Sequence, residues 1–194
     1  IMAGLVGSEM CIRDSIKGIS STKILYVTEK DNFNLVIADA DGSNEQILLK
    51  SNDPIISPSW SPDSKKVAYV SFETGMAKVY IQNIASGKRE LAIENPFQIS
   101  SPSWSPDGKF LSLTMYQDGN AEIYILNLKN KKLTRLTNHY SIDTESSWSP
   151  KGSKLIFTSG RSGSPQIYEL NLKRSNSKPK RLTFDGNYNA KGSY

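Results

Sequence analysis

Cysteine and histidine are nearly missing from this sequence: Cys11 and His139 are the only examples of each. One cysteine excludes an internal disulfide framework, and a lone histidine excludes a His cluster or a His/Cys metal set. The stretch Gly160-Arg161-Ser162-Gly163-Ser164 lacks the Gly-x-Ser-x-Gly spacing of a nucleophile elbow. Asp143 and Glu145 stand two residues apart but have no third carboxylate at a metal-ligand spacing. Long apolar runs are also missing, so no segment reaches the length of a membrane-crossing helix. No window sustains a 3.6-residue apolar period, which argues against substantial helices. The sequence therefore predicts no enzymatic activity, cofactor, metal, small-molecule substrate or membrane insertion. Its net charge of +5 comes largely from turn residues such as Lys129, Lys131, Lys132, Lys173, Arg174 and Lys178. Without a stacking platform or binding motif, that excess predicts no nucleic-acid partner. An anionic partner is the softer alternative reading of this charge.

What is present is a repeat. Trp60, Trp104 and Trp148 are the only tryptophans, 44 residues apart, in Pro58-Ser59-Trp60-Ser61-Pro62-Asp63, Pro102-Ser103-Trp104-Ser105-Pro106-Asp107 and Ser146-Ser147-Trp148-Ser149-Pro150-Lys151. A fixed period in the 40s with one aromatic per unit marks an array of supersecondary units. Each Trp leads into a turn in which Pro62 or Pro106 presets φ, Asp63 or Asp107 can bond backbone amides, and Gly108 permits positive φ. Three further apolar runs follow in every unit, spaced by Gly, Asn and Asp.

Four short antiparallel strands per 44 residues describe a β-propeller blade, so the expected class is all-β. The blades are expected at about 16–50, 55–94, 99–137 and 143–184, with a stub at 188–194 that puts Tyr194 near a Trp position. The first blade shows only three strands, since no Trp segment precedes Lys23–Thr28. Ile1–Ser15 matches no repeat and resembles a translated library-adaptor stretch; it is read as non-native. The core tryptophans are assigned a structural role, wedged between adjacent sheets.

The Trp-Ser-Pro-Asp repeats, with Ala38-Asp39-Ala40-Asp41-Gly42, Leu136-Thr137-Asn138, Ile142-Asp143-Thr144-Glu145 and Arg181-Leu182-Thr183-Phe184, resemble the propeller of the TolB family over residues 16–194. Lys151 and Ser64 depart from the Asp and Gly usual in those turns, as Gly160 departs from Asp. The resemblance implies six blades, of which about four are present in an incomplete ring. It also implies a non-enzymatic periplasmic scaffold of the Tol-Pal system, with the Pal lipoprotein and other envelope proteins as partners. The alternative is the gating propeller of a prolyl-oligopeptidase-like serine peptidase.

Loops that lead from one blade's outer strand to the next blade's inner strand are the best binding candidates on a rigid scaffold. Carried over from the family loop by loop, the expected partner contacts are Gln98, Ile99, Asp143, Thr144, Glu145, Tyr188 and Asn189. Phe97, Tyr140 and Ile142 are expected beside them as exposed anchors.

Overall fold

The computed structural model describes residues 3–5, 22–174 and 176–194, and places them in four antiparallel four-stranded sheets with no helix among these residues. The first sheet holds β1 (Ala3–Leu5), β2 (Lys23–Glu29), β3 (Phe33–Asp39) and β4 (Gln46–Ser51). The second holds β5 (Ile55–Trp60), β6 (Lys66–Ser71), β7 (Lys78–Asn83) and β8 (Arg89–Glu94). The third holds β9 (Gln98–Trp104), β10 (Phe110–Gln117), β11 (Asn120–Asn127) and β12 (Leu133–Arg135). The fourth holds β13 (Asp143–Trp148), β14 (Lys154–Ser159), β15 (Gln166–Asn171) and β16 (Lys180–Arg181). Every sheet is a simple meander in chain order. These are blades of an incomplete propeller, with the inner strands β5, β9 and β13 in contact from one sheet to the next.

The cores lie between sheets. Leu25, Leu35, Ile55, Val67 and Tyr69 join the first two blades; Val70, Val79, Ile99, Leu111 and Leu113 join the next two; Ile123, Leu155, Phe157, Tyr168 and Leu170 join the last two. Middle strands such as β6 and β14 read as continuous apolar runs because both of their faces are covered. A tryptophan packs at each interface. The Trp104 indole N–H donates to Ser59 O at 3.3 Å, and that of Trp148 to Ser103 O at 3.1 Å. Each bond reaches back one blade, so the tryptophan satisfies its polar atom while its ring fills the gap.

The post-Trp turns follow the expected chemistry. Asp63 Oδ1 accepts from the Ser61 hydroxyl at 2.6 Å and the Lys65 N–H at 3.1 Å; Asp107 repeats both bonds with Ser105 and Lys109. Lys151 cannot accept either. Ser64 occupies the left-handed position taken by Gly108 and Gly152, at φ 57°.

Three features differ from the sequence reading or were invisible to it. The first blade has four strands, not three: β1, from the segment read as non-native, pairs Gly4 with Leu25 and Leu5 with Ile24. An open strand edge is a template of unpaired backbone groups, and β2 offers one there. The rest of Ile1–Ser15, with Cys11, and residues 16–21 lie outside the described residues. Next, each inner strand is bulged, at 57–58, 101–102 and 145–146. Ser57, Ser101 and Glu145 take φ between 51° and 54° there, and Pro58 and Pro102 are tolerated because a bulge needs no ladder donor. Finally, the 188–194 stub forms no strand but keeps the register. Lys191 has φ 53°, and its N–H meets Thr158 Oγ1 as Glu145 N–H meets Thr114 Oγ1. That register places Tyr194 at the Trp position, against the fourth blade, with its hydroxyl 2.9 Å from Glu169.

Candidate functional site

The meander puts the loops entering the inner strands at one end of every sheet, together with the turns between the second and third strands. Most of the exposed large apolar side chains are at this end: Met76, Phe97, Tyr116, Tyr140, Ile142, Phe184 and Tyr188. Tyr140 is 86% exposed, Phe184 72% and Tyr188 73%.

Buried polar side chains hold these loops in shape. Glu122, at the start of β11, is buried and pairs with Arg135 at 3.1 Å. It also accepts from the Thr137 hydroxyl and from the His139 N–H at 2.6 Å, while Arg135 reaches Thr137 O and Asn138 Oδ1. One carboxylate thus clamps the loop that presents Tyr140. In the fourth blade Gln166 stands at the same register and accepts from the Thr183 hydroxyl at 2.7 Å and Asn189 Nδ2 at 3.1 Å. Its own amide donates to Gly186 O at 3.2 Å. Arg181 lies over the Phe184 ring at 5.1 Å.

The residues expected from the sequence divide into two groups. Gln98, Tyr188 and the half-buried Thr144, Glu145 and Asn189 lie at this end and reach the surface in part or in full. Ile99 and Asp143 do not: Ile99 is 2% exposed and Asp143 0%. They are strand residues at one register, Ile99 opposite Met115 and Asp143 opposite Ser159, and the reading of both as exposed loop residues is corrected. Inward-pointing strand positions enter the core whatever their polarity.

Asp143 is therefore a buried charge. Arg161 donates to its Oδ2 at 2.6 Å and, through Nε, to Ser159 Oγ at 2.8 Å. Burial pushes the Asp143 carboxyl above the usual carboxylate range, and the Ser159 hydroxyl and Arg161 only partly oppose that. Arg161 itself lies 5.4 Å from the Phe157 ring centroid and 5.1 Å from that of Tyr168. Beside it, Thr114 and Thr144 hydroxyls sit 3.3 Å apart, and the Thr158 hydroxyl donates to Glu145 Oε2 at 3.2 Å. Glu122, Gln166, Arg161 and Phe184 were not singled out from sequence. The repeated Glu122-Ile123-Tyr124 and Gln166-Ile167-Tyr168, each preceding a Leu-Thr pair, were the available signal for the first two.

The arrangement can present a shaped, aromatic, rigidly held surface. Among the described residues no three His, Cys, Asp or Glu side chains are placed to hold a metal, and no helix is long and apolar enough to cross a membrane.

Known proteins share this architecture. The Tol-Pal system protein TolB of Xanthomonas campestris is 48% identical over 81 residues, 39% of this chain and 18% of the relative. The crystal structure of TolB from Acinetobacter baumannii is 44% identical with a TM-score of 0.84, covering 92% of this chain and 46% of that one. The chain thus spans under half of the length of these relatives. A puromycin-hydrolysing peptidase of Mycobacterium tuberculosis matches at TM-score 0.65 and 13% identity, over 82% of this chain and 27% of that one, a likeness of fold alone. The family model for the TolB beta propeller domain matches residues 14–194, the span in which Trp, bulge and loop clamp recur in one register, and the chain belongs to that family.

Proposed function

We propose that the chain is the non-enzymatic docking propeller of a Tol-Pal system protein. On this reading it works in the periplasm and receives the Pal lipoprotein, and other envelope proteins, on the aromatic loop face. Competition for that face would govern Pal's access to its other partners, and so outer-membrane integrity, constriction at cell division and the import of proteins that borrow the same surface. The observation that carries the proposal is the gathering of exposed aromatic side chains on clamped loops at one end of the sheets. Aromatic anchors on a preorganised scaffold are what interface hot spots are made of. Gln98, Thr144, Glu145, Tyr188 and Asn189 are proposed as contacts; Ile99 and Asp143 are proposed to position them from beneath. The peptidase-gating alternative has only likeness of fold behind it and is set second.

The test is calorimetric titration of Pal into the chain and into Glu145→Ala/Tyr188→Ala. We expect at least a ten-fold loss of affinity in the double variant. Unchanged affinity would sink the assignment of this face.

A further inference from the structure

The opposite end of the sheets, which the proposed function leaves unused, is asymmetric in charge. It carries the turns after the first and third strands of each blade. In the first two blades those turns hold Asp41, Glu45 and Asp63 against Lys65 and Lys88. In the last two they hold Lys129, Lys131 and Lys132 on one turn and Lys173, Arg174 and Lys178 on the next. Lys109 and Lys151 add to these, with Asp107 the one carboxylate among them. Of these cations only Lys109 forms an ion pair among the described residues, to Asp107 at 3.8 Å.

A groove of about 540 Å³ opens within this basic region, between the third and fourth blades. Its apolar walls are Phe110, Ile125, Trp148, Leu172, Pro106 and Pro150, and its charged lining is one carboxylate, Asp107, and one cation, Lys151. The corresponding groove one blade earlier, about 340 Å³, is lined by both Asp63 and Asp107 beside a single lysine, Lys66. The difference lies in Lys151. It replaces the turn aspartate, forgoes the two hydrogen bonds that Asp63 and Asp107 each make, and puts a cation on the groove's rim. A local rule broken at one blade, with its consequence aimed into a cavity, is the pattern expected of a site.

We propose that this groove binds an acidic peptide segment through a buried apolar side chain, with the flanking carboxylates on the lysine turns. Charge complementarity selects the acidic partner, and the recessed apolar walls select a side chain that enters from outside. A membrane surface fits less well, because no large exposed apolar residue among the described ones projects from these turns to act as a wedge. Nucleic acid fits less well too, because the one exposed aromatic near this end among the described residues, Tyr194, is held through its hydroxyl by Glu169 and offers no series of stacking rings.

The probe is a fluorescein-labelled nonapeptide with two leucines between runs of Asp and Glu, titrated into the full chain by anisotropy while tryptophan emission is followed. A second peptide carries Ala for both leucines. We expect saturable binding with a shift in tryptophan emission, at least ten-fold weaker binding of the alanine peptide, and at least five-fold weaker binding to Lys151→Asp. Lys151→Asp should melt higher than the parent, so a loss of binding there is not a loss of folding. Lys129→Glu/Lys131→Glu/Lys132→Glu should weaken the peptide further, whereas Glu145→Ala/Tyr188→Ala should leave it unchanged. The last result separates this site from the Pal-docking face, since each fails by its own variants. Equal affinity for the two peptides would overturn the groove in favour of diffuse charge attraction. So would an absence of peptide binding, or binding to vesicles of anionic phospholipid without binding to peptide.

Discussion

Removing Arg161 should do more damage than removing its partner, and removing both should do least. Asp143 is completely buried, with one oxygen held by Arg161 at 2.6 Å and Oδ1 without a hydrogen-bond partner among the described residues. Arg161→Met strands that carboxylate in the core, which should cost about 3–5 kcal/mol. For a chain of this size the melting point should fall by about 6–20 °C. Asp143→Ile leaves an arginine whose side chain is 15% exposed, so it can reach water and keep its contacts with Phe157 and Tyr168. Its cost should be smaller, about 1–3 kcal/mol. The double variant Asp143→Ile/Arg161→Met should lie within about 1 kcal/mol of the parent or above it. The structure supplies the reason: Ile55 and Ile99 already fill this register in the second and third blades. Urea unfolding followed by tryptophan emission measures all four corners of the cycle. A cost under about 1 kcal/mol for Arg161→Met would refute the reasoning, because it would mean water or another donor reaches Asp143.

The same residue has a pH signature. A carboxyl whose folded pKa is raised binds protons more readily in the native state. Its contribution to stability is therefore largest below the unfolded value near 4 and declines as pH rises toward the folded value. Asp143→Ile should remove that decline.

The surface carboxylates behave in the opposite sense. The Ser61 and Ser105 hydroxyls hold Asp63 and Asp107 below the usual range, so their support is present above about pH 4 and lost as pH falls through the lowered values. Asp63→Asn should flatten the acid limb of a melting-point-versus-pH curve, and an unaltered limb would refute the turn assignment. Ser64→Gly should stabilise by about 1 kcal/mol, relieving a left-handed serine at φ 57° where the third and fourth blades have glycine. A lower melting point would mean that the serine's rigidity in the unfolded chain outweighs the strain. Trp148→Phe should cost about 0.5–1.5 kcal/mol beyond any loss of packing, because Ser103 O loses the indole N–H at 3.1 Å and keeps only the longer bond from the Ser112 hydroxyl at 3.4 Å. A cost no greater than that of Phe110→Leu in the same groove would argue against the indole bond. Burial pushes Tyr69 up to about 12, so absorbance titration should show it ionising well after exposed tyrosines.

The repeat was legible in the sequence because its signals are local. Trp60, Trp104 and Trp148 fix the phase, Pro62 and Pro106 start the turns, and alternating runs such as Lys78–Asn83 mark strands. Even Tyr194 announced its place by spacing, and the hydrogen bond from Lys191 to Thr158 puts it there. The bulges were less legible, although Pro58 and Pro102 inside strand runs were their signal. The pairing of β1 with β2 could not be anticipated, since an open edge accepts partners with little regard to side chains.

The candidate site was legible only as a set of loops. Asp143 reads as a surface acid because the residue that neutralises it, Arg161, is 18 positions away on another strand's turn. Glu122 and Gln166 read as ordinary strand residues because the loops they clamp close only after the outer strand returns. Lys151 reads as a tolerable slip until the groove beside it exists. Periodicity and turn chemistry, which act over a few residues, determined the blades and their order. Burial and charge neighbourhood depend on which blades meet, and the tertiary structure alone decided those.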